Sequence, residues 1–170
     1  MFRTEEDRGR ADWELLAEGA INLYWRDELF EATKGDLRAL GYRLIEVTCI
    51  TPEQFRQAVS DALRWEAQFG YEPWTGNLNA LNDALCGFPF DGDDVAICLR
   101  DFHVIAGQEP PFAHGLLDSI ERNSRYHLLQ GRRLLALVQT NDAKFHCEGL
   151  GAASARWNPA EWANASRGLS

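Results

Sequence analysis

No apolar run in this 170-residue chain approaches the roughly 20 residues that a helix needs to cross a bilayer, which excludes an ordinary transmembrane helix. The stretch MFRTEEDRGRADWELL puts charges where a signal peptide needs an apolar core, so a soluble, cytoplasmic chain without a targeting segment is expected. Positive charge is scarce: 17 Lys and Arg against 26 Asp and Glu leave a formal net charge of −9. Such a balance repels a phosphate backbone and makes nucleic acid a poor partner. It suits solubility, or association with something basic. The 4 cysteines, Cys49, Cys86, Cys98 and Cys147, form no C-x-x-C pair and read as reduced thiols of a cytoplasm. Repeats and low-complexity segments are absent.

Catalytic and cofactor motifs are missing as well. There is no Walker A sequence and no G-x-S-x-G elbow. GLGAAS (149–154) carries part of a dinucleotide loop, but too little chain follows it for a βαβ unit. The histidines at 103, 114, 127 and 146 are isolated, whereas metal ligands come in spaced pairs. DGDD (91–94) lacks the rest of a calcium loop and reads as an acidic turn. Neither a metal nor a cofactor is expected, and the chain is not read as an enzyme. An active site built from a histidine and the DGDD carboxylates is the weakest of the readings left open.

What is present is the composition of a packed domain. Hydrophobic residues make up 45%, with 6 Trp and 9 Phe, enough for a sizeable core. Residues 1–12 are polar and read as loose. AINLYW (20–25) reads as a short strand, and 27–40 as a helix that Gly35 weakens, since glycine there costs about 1 kcal/mol relative to alanine. YRLIEVTCI (42–50) is a strand by its β-branched and aromatic content. Thr51, Pro52 and Gln54 then spell a helix start, and Phe55, Val59, Ala62 and Leu63 line one face until Gly70. A shorter helix ends near Gly87, and FPFDGDD (88–94) is a turn-rich loop. VAICL (95–99) is a buried strand, 111–126 a helix, and RRLLALVQT (132–140) a strand. RWNPAEW (156–162) carries another helix-entry signal, with Asn158 as cap, Pro159 next and Glu161 third. Trp157 and Trp162 are placed to staple a short terminal helix, or alternatively to meet a partner. Strands alternating with helices predict an α/β domain with a small parallel sheet.

The segment YEPWTGNLNALNDALCG (71–87) is the informative one. At 100° per residue, Leu78, Leu81 and Leu85 fall on one side of a helix, and Asn79, Asn82 and Asp83 on the other. Asn77 sits where its side chain can cap free backbone N–H groups. Trp74, Thr75 and Gly76 form the approach. Asparagine is a mediocre helix former, and a solvated face more often uses Glu, Lys or Arg, so this face reads as a recognition surface.

WTGNLNALNDALCG also resembles the signature of the barstar family, intracellular inhibitors of barnase-like ribonucleases. In that family an aromatic–Gly–x–Asn loop leads into a helix reading Asn-Leu-Asp-Ala-Leu-x-Asp-x-Leu, and Asn77, Leu78, Ala80, Leu81, Asp83 and Leu85 match it. The resemblance spans about residues 42–140. It implies a three-stranded parallel sheet packed by helices, with 1–41 a strand–helix extension and 141–170 a tail bearing a short helix. It further implies that the helix and its loop occlude the basic active site of a cognate ribonuclease. Asp83 would be the principal carboxylate, with Tyr71, Trp74, Thr75, Gly76, Asn77, Asn79 and Asn82 around it. A further acidic residue falls at Glu121 or Arg122, of which Glu121 is taken for the site. Two departures stand out: Asn79 replaces the usual Asp, and the Gly-x-Asn spacing shortens to Gly76-Asn77. The same scaffold could instead serve as a module that binds a non-nuclease protein.

Overall fold

A computed structural model of the chain describes residues 5–71, 73–87, 92–151 and 153–169. Five strands, β1 (Ile21–Tyr24), β2 (Arg43–Thr48), β3 (Val95–Arg100), β4 (Leu134–Gln139) and β5 (Arg156–Trp157), form one sheet in the order β2-β3-β4-β1-β5. Every pairing is parallel. Side chains alternate across it. Ile21, Leu23, Ile45, Val47, Val95, Ile97, Leu99, Leu134, Ala136 and Val138 enter one core, while Tyr24, Ala96, Cys98, Leu135 and Leu137 enter a second on the other face. β3 and β4 are therefore covered on both faces, which explains why they read as unbroken apolar runs.

The helices divide unequally between the faces. α1 (Ala11–Leu16) and α2 (Asp27–Ala39) cover the second core through Leu15, Phe30 and Leu37. The first core is covered by α3 (Pro52–Ala62), α4 (Trp65–Phe69), α5 (Leu78–Gly87), α6 (His103–Gln108) and α7 (Pro110–Leu129). The Thr51 hydroxyl accepts from the Gln54 amide at 3.2 Å, so the helix start read from sequence is in place. The expected continuous helix over 51–69 is instead broken at Arg64, whose φ of 48° turns the chain so that Trp65 enters the core with 0% exposure. None of the described helices is long and apolar enough to cross a membrane.

The three-stranded sheet is corrected to five strands. All four residues of β1 are buried, so both of its faces are covered, and Ile21–Tyr24 lie in register with Ala136–Gln139. On its far side β1 takes Arg156 and Trp157 as β5, so the tail contributes a strand where a helix staple was expected. The NPAEW signal yields only one turn, closed by the Glu161 amide on the Asn158 carbonyl at 2.9 Å. A short 3-10 helix follows at Asn164–Arg167.

Glu161 ties this turn to the start of α2. Its carboxylate, 0% exposed, accepts from the amides of Trp25 at 3.0 Å and Arg26 at 2.8 Å, at the start of α2. Negative charge is favoured at a helix N-terminus, so the carboxylate caps α2 while it also accepts from the Asn158 side chain of its own turn. Nor are residues 5–12 loose. Asp12 is fully buried, accepting from Arg10 at 2.8 Å and from the Tyr42 hydroxyl at 2.9 Å, with the Arg133 guanidinium at 3.5 Å. Phe88–Asp91, including the start of the expected acidic turn, lie outside the described residues.

Candidate functional site

α5 begins as its sequence dictates. The Asn77 side-chain oxygen accepts from the amides of Asn79 at 2.9 Å and Ala80 at 3.3 Å, satisfying donors that the first turn leaves open. Leu81, Ala84 and Leu85 are buried in the first core. Asn79 and Asp83 are exposed, and Asp83 makes no ion pair among the described residues. Asn82 is half-buried because its side-chain oxygen accepts from Asn123 of α7 at 2.9 Å. Its part is to join two helices as much as to face solvent.

α7 fixes the position of α5 at three levels. Gly115 receives Leu78, whose methyl group occupies the space that a Cβ would take. Asn123, bonded back to the Ser119 carbonyl at 2.8 Å, holds Asn82. The fully buried His127 places Nε2 2.8 Å from the Leu85 carbonyl near the end of α5. Between the helices runs an open groove of about 420 Å³, edged by Asn79, Asn82 and Asp83 on one side and by Gly115, Asp118 and Arg122 on the other. Asp118 and Arg122 approach each other at 3.7 Å across one helical turn, and Arg122 is 72% exposed.

The approach loop is anchored from below. Trp74 is corrected from a rim residue to a core residue: it is 1% exposed, packed between Trp65 and Phe112 with ring centroids at 5.7 and 5.8 Å. Its backbone amide donates to the Ser60 hydroxyl at 2.6 Å, and its indole N–H to the Asn77 carbonyl at 2.9 Å. That second bond ties the loop to the first turn of α5. Gly76 adopts φ +92° against the Arg56 guanidinium, and a Cβ there would meet Nε at 2.8 Å. Arg56 is itself held by Glu109 at 2.5 Å. Thr75 is exposed, as is Tyr71, which lies edge-on to Trp65 with centroids 6.4 Å apart.

Glu121 is corrected too. It is 3% exposed and faces away from the groove, accepting from the Ala20 amide at 2.6 Å and from Arg125 at 3.1 Å. Its task is to hold the entry to β1. The acidic residue of α7 that reaches the groove is Asp118, which sequence reasoning passed over. Gly115, Asp118, Ser119 and Arg122 follow the i, i+3, i+4, i+7 spacing of one face, and that phase separates them from Glu121.

The arrangement offers hydrogen-bond donors and acceptors with carboxylates on a preformed helix pair. No group of three or more His, Cys, Asp or Glu able to hold a metal exists among the described residues. Burial pushes the thiols of Cys49 and Cys98 up to about 12, leaving them poor nucleophiles at neutral pH. No protein-family model matches the chain, and no curated protein matches it.

Proposed function

We propose that the chain is a barstar-like intracellular inhibitor, an immunity protein that binds a basic ribonuclease and covers its active site with the Asn79–Asp83 face of α5. The observation that carries this reading is the exposure of Asp83 and Asn79 on a helix without a basic residue, held rigid against α7, with Asp118 across the groove. A site that cleaves RNA is positively charged. A carboxylate presented on a fixed helix can occupy the place of a phosphate at little entropic cost. The net charge of −9 would speed encounter with such a target. The resemblance of residues 77–85 to the barstar signature supports the same reading. Neither cofactor nor nucleic acid enters the mechanism, and cytoplasmic residence belongs to it.

The test is affinity for a co-encoded ribonuclease before and after Asp83→Ala. Truncating one member of a buried charge pair at an interface costs about 2 kcal/mol or more, close to thirtyfold in Kd; that range includes measurements on the barnase–barstar pair itself. Unchanged affinity would remove Asp83 from the site. A second reading, a module for a non-nuclease protein, is favoured by Arg122, whose exposed guanidinium opposes a basic partner at the groove rim. A stable complex with another protein, together with no inhibition of the neighbouring ribonuclease, would select it.

A further inference from the structure

A second cavity lies away from α5, between the amino-terminal helix and the carboxy-terminal segment. It measures about 650 Å³ and lies between α1 and the turn after β5, with Trp13, Trp157 and Trp162 among its walls. That volume is within the roughly 300–1,000 Å³ of ordinary ligand sites. Trp162 is 75% exposed, an uncommon position for so large an apolar ring unless something covers it. Glu14 and Glu18 supply carboxylates to the same walls. Glu14 is exposed and forms no ion pair among the described residues.

The protein's own arginines reveal the chemistry these walls accept. Arg156 pairs with Glu18 at the groove. Arg167 lays its guanidinium over the Trp157 ring, 4.3 Å from the centroid. At the groove a guanidinium is thus received by a carboxylate, and behind it the buried Arg167, which is not among the walls, shows one received by the indole face of Trp157. Guanidinium suits such places better than ammonium, because it stacks and is less strongly hydrated. Glu14, Trp13 and Trp162 repeat these elements in the same walls, where the internal cation, Arg156, is engaged by Glu18.

We propose that this groove binds an arginine-bearing peptide segment of a partner protein, with one guanidinium lodged between the indoles of Trp13 and Trp162 and paired to Glu14. The net charge of −9 favours such a basic segment and disfavours a second copy of this chain. The surface is separate from the α5 groove and does not depend on the function proposed for it.

The experiment titrates the full chain with acetyl-Gly-Arg-Gly-Arg-Gly-amide and with the same peptide carrying norleucine for arginine, following the indole N–H resonances. The arginine peptide should shift the Trp13 and Trp162 signals saturably, leave the Asn79 and Asp83 amides unmoved, and weaken as salt rises. Trp162→Ala and Glu14→Gln, both at exposed positions, should each raise Kd about fivefold, the effect of losing one exposed cation–π or ionic contact. Equal binding of the norleucine peptide would overturn the proposal. So would a response to maltotriose in place of peptide, or a dimer in sedimentation that Trp162→Ala dissolves.

Discussion

Asp83 and Glu121 are both acidic residues on amphipathic helices, yet only one of them faces out. The difference is helical phase. Asp83 lies opposite Leu81, Ala84 and Leu85, whereas Glu121 adjoins Ile120 and points at the Ala20 amide. Local sequence states the apolar arc of α5 clearly, because its leucines are regularly spaced. In α7 the buried arc is broader and takes in the polar residues Ser119, Glu121, Asn123, Ser124 and His127, so which polar residue faces out depends on neighbours distant in sequence. The same limit applies to Trp74, whose burial is decided by Trp65 and Phe112. Charge at the groove follows from single residues. Asn79→Asp adds a carboxylate and Arg122→Ala removes a cation. Each should tighten binding to a basic ribonuclease and speed association at low salt, by about tenfold in Kd for Asn79→Asp. Titration calorimetry and stopped-flow at two salt concentrations would check this, and weaker binding by both variants would point to a partner that is not basic.

Among elements, the α5–α7 pair is the unit that matters for recognition. Gly115 permits the close approach, with Leu78 seated where a side chain would otherwise stand. Gly115→Ala should push Leu78 outward into the groove. Overpacking of this kind costs about 1–3 kcal/mol, and it would weaken the partner complex beyond that of a control at Gly107, where a Cβ meets nothing within 4 Å. Urea unfolding of the two variants, set beside their partner Kd, separates the effects. The elements themselves were legible where a local signal exists: the Thr51 cap, the buried runs 95–99 and 132–140, the Asn77 cap. α6 and the break at Arg64 were not, since each exists to deliver Ile105 or Trp65 to a core assembled elsewhere. The Asn158 signal does produce a turn, but the bonds from Glu161 to the start of α2 are ones no window of sequence displays.

For the whole molecule, the amino-terminal residues close the second core and the carboxy-terminal ones pack on the first while adding β5 to the sheet. Asp12 is the carboxylate on which much of the amino-terminal junction depends. Burial opposes its charge, but hydrogen bonds from Arg10 and Tyr42 outweigh that and hold it below the usual carboxylate range. A carboxylate lowered in this way contributes stability that is present above its unfolded pKa, about 3.9, and is lost as pH falls through the folded value. Asp12→Asn should therefore cost about 3 kcal/mol at pH 7, as breaking a buried ionic cluster does, and the gap from the parent protein should close below about pH 4. Urea midpoints measured from pH 7 to pH 3 give both numbers. A gap independent of pH would mean that the loss is one of packing. That residues 5–41 and 141–169 belong to one sheet could not be read locally. AINLY identifies a buried strand, but nothing within it says that its neighbours will be residues 136–139 and 156–157.

The place of β1 in the sheet also orders events during synthesis. Of the five described strands, β1 is made before the others yet sits between β4 and β5. Its backbone donors and acceptors find no permanent partner until residues beyond 134 have emerged, and the edge past it stays open until residue 157. Contacts closed over such distances are slow to form and expose apolar surface meanwhile. A nascent chain arrested before β4 should therefore hold Ile21–Tyr24 in the open, sensitive to protease and attractive to chaperones, and become resistant in one late step.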